Sequence, residues 1–369
     1  MTDWRLPENR REAFQRFYSF HLKYRSHPGC VYYLLPAIAD AYDLDEDGLA
    51  WLVWLNGNTQ NVVTSLLLLE AAPRPQDWAQ AVAFWDDNFK ALEWDTDRRH
   101  QKSKFGVATE QWWEQTGGAA AQQWLTSAEG GGDTTWGYSL SQPYMGRLSA
   151  WSMLEYARIL FGPVIPDMPT FLMQDKSGSQ SHRNGAAFVA GYDSVYWEAD
   201  APFLLGIVPE IEEFAEDLLR EAQGRNLVED CDCPPPYADC MHDPLPHPDV
   251  SRLTLESALC TYKSFSKENR RYPGVYNDMM YNRIRKAEAR FPGEDFSLLW
   301  DTRRAYLPRY LRLEDNPNDP GLVPEKQNHY RSTGQIPVLG HEWPDMWSDF
   351  DQSVQEGRFG VREDKSWVL

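Results

Sequence analysis

Apolar residues that recur every third and fourth position restrict this chain more than any other feature. Phe14, Phe17, Tyr18 and His21 fall on one such stripe, and Leu255, Ala258, Leu259 and Tyr262 repeat it. That period places each set on one face of an amphipathic helix. Alternating patterns of strand type are scarce through the first three hundred residues, so a mainly α fold is expected. Proline and glycine punctuate the pattern at Pro73-Arg74-Pro75, Gly130-Gly131-Gly132, Gly162-Pro163, Pro234-Pro235-Pro236 and Pro244-Leu245-Pro246-His247-Pro248, which marks loops between helices. The stretch 231–250 holds too much proline for a regular element. We therefore expect a helical body over residues 1–310 with a possible lobe boundary at 231–250. Residues 311–369 carry little periodicity but keep Trp343, Trp347, Phe350 and Trp367. Disordered segments are poor in aromatics, so this irregular C-terminal extension is expected to pack on the body.

The 369 residues suffice for one large domain or two ordinary ones. The 16 Trp, 18 Tyr and 16 Phe are expected to serve mainly as core anchors, with base stacking as the minority use. No apolar run approaches the eighteen or more residues of a membrane span. Met1-Thr2-Asp3-Trp4-Arg5 lacks the basic-then-apolar order of a signal peptide, so a cytosolic protein is expected. Three of the five cysteines, Cys231, Cys233 and Cys240, lie close together and are followed by His242. Thiolate and imidazole suit zinc, but the spacing is unlike that of structural zinc sites and a triple proline interrupts it. Reduced loop cysteines are the favoured reading, with no metal and no cofactor.

Against a formal net charge of -19, positive charge is concentrated in three places. The first is Asp95-Thr96-Asp97-Arg98-Arg99-His100-Gln101-Lys102-Ser103-Lys104. In a helix, Asp95, Arg98, Arg99 and Lys102 would share one face. The flanking Trp94 and Phe105 argue for a packed element rather than a solvated one, although internal ion pairing explains the spacing equally well. The second is Ser181-His182-Arg183-Asn184-Gly185, between the hydroxyl-rich Asp175–Gln180 stretch and Ala186-Ala187-Phe188-Val189. A helix starting at Ala186 would aim free amides at an anion. His182 titrates near neutral pH when unperturbed, although a lone histidine is more often structural. The third spans residues 263–286, where Lys263, Lys267, Arg270, Arg271, Arg283, Arg285 and Lys286 face only Glu268 and Asp278. With Tyr272 and Tyr276 interleaved, this patch suits a nucleic-acid backbone and a stacked base. The alternative is charge-balanced packing against the acidic segment Glu210–Glu221.

Asn56-Gly57-Asn58-Thr59-Gln60-Asn61 interrupts an apolar segment. Such amides must find partners. They either cap a kink or read the edge of an extruded pyrimidine. Phosphate-binding loops of the Gly-x-x-x-x-Gly-Lys type, the dinucleotide-binding glycine pattern, the Gly-x-Ser-x-Gly elbow and His-Glu-x-x-His are all missing, which counts against triphosphate hydrolysis, hydride transfer and the common hydrolase chemistries.

At Trp94–Lys102, Ser181–Gly185, Leu255–Lys263 and Arg270-Arg271-Tyr272-Pro273-Gly274, the chain resembles the bacteriophage α-glutamyl/putrescinyl thymine pyrophosphorylases, or amino acid:DNA transferases. The resemblance runs from about residue 30 to 310. It implies an all-helical body similar to helix-hairpin-helix DNA glycosylases, although no clear glycine hairpin followed by an aspartate is present. It also implies a phage enzyme in the cytoplasm of the infected bacterial host. The implied partner is modified double-stranded DNA whose 5-hydroxymethyluracil has been diphosphorylated, and no membrane is involved. An amine co-substrate (glycine, glutamate or putrescine) displaces the diphosphate, with glycine favoured because spare arginines could hold its carboxylate.

On that reading Arg98, Arg99, Lys102 and Arg183 bind the diphosphate, and Asp95, Asp97 and His182 are the catalytic candidates. Lys263, Arg270, Arg271, Tyr272, Arg283 and Arg285 hold DNA, while Asn58 and Asn184 read the base. Two rivals remain: a non-catalytic nucleic-acid-binding phage protein and a glycosylase acting on a modified pyrimidine.

Overall fold

A computed structural model describes residues 7–23, 30–94, 102–174, 180–192, 206–225, 249–262 and 275–306. Among them run fourteen α-helices and no strand. In chain order these are α1 (Pro7–Lys23), α2 (Val31–Ala41), α3 (Glu46–Thr59), α4 (Val62–Ala71), α5 (Trp78–Asp87), α6 (Phe105–Thr116) and α7 (Ala120–Glu129). They continue with α8 (Gly132–Leu140), α9 (Arg147–Phe161), α10 (Gln180–Val189), α11 (Val208–Gly224), α12 (Arg252–Tyr262), α13 (Val275–Arg290) and α14 (Ser297–Tyr306). The mainly α expectation is met. No helix among the described residues is long and apolar enough to cross a membrane.

Two compact units emerge. The first combines α1 with residues 170–282, hence α10, α11, α12 and the start of α13. Both sequence stripes are at its centre. Phe14 and Phe17 of α1 lie 5.3 and 5.2 Å from the Tyr262 ring of α12, and Phe188 of α10 lies 6.1 Å from it. Leu255, Ala258 and Leu259 are fully buried beside them. Polar ends of the stripe are satisfied too. The Tyr18 hydroxyl lies 2.6 Å from Thr254 Oγ1. Arg10 stacks 4.0 Å from the centre of the Phe188 ring and donates to the Phe188 and Tyr192 carbonyls, at the carboxyl end of α10. Cations suit that end because its carbonyls lack partners within the helix.

The second unit comprises residues 29–169 and 283–303, and its centre is α3. Every residue from Trp51 to Thr59 is buried, as expected of a helix apolar on most of its circumference. Trp51 and Trp54 pack on Trp112 at 5.4 and 5.1 Å, while their indole N–H groups donate to the Ala72 carbonyl and Thr109 Oγ1. Asp45 caps α3 by accepting from the Gly48 N–H, and Asn61 caps α4 by accepting from the Thr64 N–H. α9 approaches α3 at Gly57, where an added Cβ would meet the Met153 Cε at 2.3 Å.

Asp95, Asp97, Arg98, Arg99, Lys263, Arg270, Arg271 and Tyr272 lie outside the described residues, as do Cys231, Cys233, Cys240, His242 and the extension from residue 311.

Candidate functional site

In the first unit the structure joins two of the sequence motifs. Ser181–Gly185 does not precede a helix, because α10 already begins at Gln180. Gly185 is held inside the helix by packing: a Cβ there would lie 2.1 Å from the Leu259 carbonyl oxygen of α12. This close approach, one turn from His182 and from Glu256, brings those two side chains together. His182 Nδ1 lies 2.9 Å from Glu256 Oε1, and its Nε2 lies 3.1 Å from the Phe171 carbonyl. One turn along α12, the Cys260 thiol donates to the same Glu256 oxygen at 3.5 Å. His182 is fully buried, Glu256 is nearly so, and Cys260 is partly exposed.

Arg183 is fully buried and donates from Nη1 to the Met173 carbonyl at 3.1 Å, while the Met173 N–H donates to Glu212. His182 and Arg183 thus both anchor residues 171–173 through backbone carbonyls. Asn184 is buried on the same helix. Among the described residues, the acidic α11 pairs with Arg11 and Arg225 through Glu221, and with Arg252 through Glu216 by two bonds of 2.8 and 2.9 Å.

The second unit assembles a different cluster around residues 91–93. Trp94 and Phe105 pack on Trp85 at 4.7 and 5.1 Å, so the two residues flanking the Asp95–Lys104 run are held against α5. Lys102 donates to the Leu92 carbonyl at 2.6 Å, with its ammonium 4.7 Å from the Phe89 ring centre and 5.4 Å from that of Trp85. Burial lowers its pKa, the Arg290 charge lowers it further, and Glu93 acts in the opposite sense. Arg290 donates to the Ala91 carbonyl and to Glu93, and Lys286 lies 3.7 Å from Glu93. A small pocket here is lined by Asn61, Thr64, Leu92, Glu93, Arg283 and Arg290.

The third sequence patch is therefore divided. Arg283 is buried in the pocket wall, whereas Arg285 is exposed, 3.8 Å from Glu288. Asn58 is buried and donates from Nδ2 to the Trp54 carbonyl of its own helix.

Sequence reasoning missed Glu93 and Arg290 as members of the basic cluster. It also missed the pairing of His182 with Glu256. The spacing of Glu256 and Cys260 did put them on one helix face, but nothing in the sequence ties that face to His182.

The chain is 27% identical to the protein named serinyltransferase of Salmonella phage ViI, over 360 residues that cover 92% of this chain and 84% of that protein. No protein-family model matches the chain. No solved structure matches it either.

Proposed function

We propose that this protein is a phage DNA-modifying transferase that replaces the diphosphate of diphosphorylated 5-hydroxymethyluracil in DNA with the amine of a small amino acid. The similarity to a phage serinyltransferase across most of both chains carries this reading. The relative's name also makes serine a donor to test beside glycine.

The reaction breaks the bond between the C5 methylene and the diphosphate oxygen and forms a carbon–nitrogen bond in its place. An ammonium must lose a proton before it attacks, and the departing diphosphate gains negative charge. Cations stabilise that charge most where water is excluded. Lys102 suits such a role in part: it is half-buried beside two aromatic rings, and burial and the Arg290 charge both disfavour its charged form. An arriving diphosphate would relieve that penalty. Arg98 and Arg99, in the same motif, complete the clamp there, and Arg183 of the first unit is a separate diphosphate-binding candidate. Asp95, Asp97 and His182 are the candidates for proton removal. Lys263, Arg270, Arg271, Tyr272, Arg283 and Arg285 hold the DNA, and Asn58 and Asn184 are the base readers. Work on one base of a duplex requires extruding it, at a few kcal/mol of unstacking. Such an enzyme would act in the cytoplasm of the infected bacterium.

The test is incubation with diphosphorylated 5-hydroxymethyluracil DNA and serine, glycine, glutamate or putrescine, followed by nucleoside mass spectrometry. An aminated thymine and free diphosphate are expected. Lys102→Ala should lower the single-turnover rate roughly 10²- to 10³-fold while the protein stays folded. Abasic sites would indicate a glycosylase. DNA binding without any change in the nucleosides would indicate a non-catalytic binder.

A further inference from the structure

The geometry points to a divalent metal site, of zinc type, formed by His182 Nδ1, the Glu256 carboxylate and Cys260 Sγ. These three donor atoms lie within 4.8 Å of one another. The proposal stands on this arrangement alone and makes no use of the transferase reading.

Three observations carry it. First, each nitrogen of the buried His182 ring faces an oxygen acceptor: Nε2 faces the Phe171 carbonyl at 3.1 Å and Nδ1 faces Glu256 Oε1 at 2.9 Å. A neutral imidazole donates from only one nitrogen. With Nε2–H given to the carbonyl, Nδ1 carries a lone pair 2.9 Å from a carboxylate oxygen, a contact that calls for a positive centre, either a proton or a metal ion. Second, a metal-bound histidine characteristically gives its other N–H to a backbone carbonyl or a carboxylate, which fixes the ring and its tautomer. The Phe171 carbonyl already occupies that position. Third, a thiol converges on the same Glu256 oxygen from one helical turn away, at 3.5 Å. One nitrogen, one oxygen and one sulfur donor form a set that zinc accepts, with a fourth position left for water or substrate. Cys260, the partly exposed member, marks the open side.

Bond lengths of about 2.0–2.3 Å put the ligand atoms of a tetrahedral zinc roughly 3.3–3.6 Å apart. The observed 3.5 Å meets this, and the 2.9 Å pair needs to open by only a few tenths of an ångström. Binding would release the Cys260 thiol proton and any proton held between His182 and Glu256.

The experiment is equilibrium dialysis of the chelator-stripped full chain against zinc and cobalt ions. It is repeated on the Cys231→Ser, Cys233→Ser, Cys240→Ser triple variant to remove the other thiol cluster. One ion per chain is expected in both proteins, with a thiolate-to-cobalt charge-transfer band that Cys260→Ser abolishes. Glu256→Gln should weaken binding roughly 10- to 100-fold or more. Bound metal should also protect Cys260 of the unmutated chain from alkylation, read by peptide mass spectrometry, which keeps the test independent of how well the variants fold. No retained ion, an ion lost in the triple variant, a band that survives Cys260→Ser, or an unprotected Cys260 would each overturn the proposal.

Discussion

Each unit holds a buried polar network, and the two networks differ in the chain distance they span. In the second, Asn56, Asn58, Thr59, Asn61 and Ser65 are neutral and find one another or their own helices. Thr59 Oγ1 lies 2.7 Å from Ser65 Oγ, Ser65 donates to Asn56 Oδ1, and Asn58 donates to the Trp54 carbonyl, all within nine positions along the chain. In the first unit, Arg10, His182, Arg183 and Glu256 carry charge or can take it up. Apart from the Cys260 thiol four positions from Glu256, their partners lie from ten to 182 positions away. A network of short range survives as long as α3, α4 and their turn persist. One of long range exists only in the closed fold, and a low-dielectric interior makes each lost partner costly. The first unit should therefore be the more sensitive to substitution and to acid.

The sharpest test compares two glycines. An added Cβ is obstructed at 2.1 Å at Gly185 and at 2.3 Å at Gly57, but the obstacle is the Leu259 backbone in the first case and the mobile end of Met153 in the second. Gly185→Ala should cost at least about 3 kcal/mol, because α10 and α12 must separate. Gly57→Ala should cost under about 1.5 kcal/mol, since Met153 can turn away and alanine favours the helix by up to about 1 kcal/mol. Denaturant unfolding of both variants measures the difference. Equal losses would show that the backbone contact in the first unit is no stiffer than the side-chain contact in the second.

A second test uses acid. His21 is fully buried, stacked 5.6 Å from Phe17, and burial pushes its pKa down from 6.5 to about 3. Between those values the unfolded chain takes up a proton that the folded chain refuses. The stabilisation is therefore complete above about pH 6.5 and is lost as the pH falls towards 3, by about 1.4 kcal/mol for each pH unit. His21→Phe should flatten this dependence, as read from unfolding free energies at successive pH values. An unchanged slope would move the acid sensitivity away from the first unit.

The smallest effect is expected in the second unit. Asn61→Ala removes the cap of α4, a 3.2 Å bond to the Thr64 N–H, and should cost about 1 kcal/mol, whereas Asn61→Asp should be nearly neutral. A loss several times larger would mean that the neutral network is not the self-contained structure its short-range bonds indicate. Thermal melts of the two variants decide this.

Helical periodicity made much of this arrangement legible in the sequence. The stripes at Phe14–His21 and Leu255–Tyr262 lie where their period put them, because burying an apolar face is a demand each helix makes by itself. Trp94 and Phe105 do pack on Trp85, but the run between them that they suggested to be packed lies mostly outside the described residues. The start of α10 was misplaced, at Ala186 instead of Gln180. His182, Arg183 and Gly185 are weak helix signals on their own, and contacts with α12 and residues 171–173 override them.

What the sequence determined by itself, then, is the helical class, the faces that turn inward, and the concentration of cations near Lys102 and in α13. Each of these depends on residues within a few positions of one another. Only the tertiary structure decided that Glu256 and Cys260 meet His182, that Arg183 spends a bond on the Met173 carbonyl, and that Arg290 and Lys286 gather at Glu93. Those meetings join residues far apart in the chain at close packed contacts. A one-dimensional pattern records which face of a helix is polar, but the partner of that face is chosen by how the helices dock.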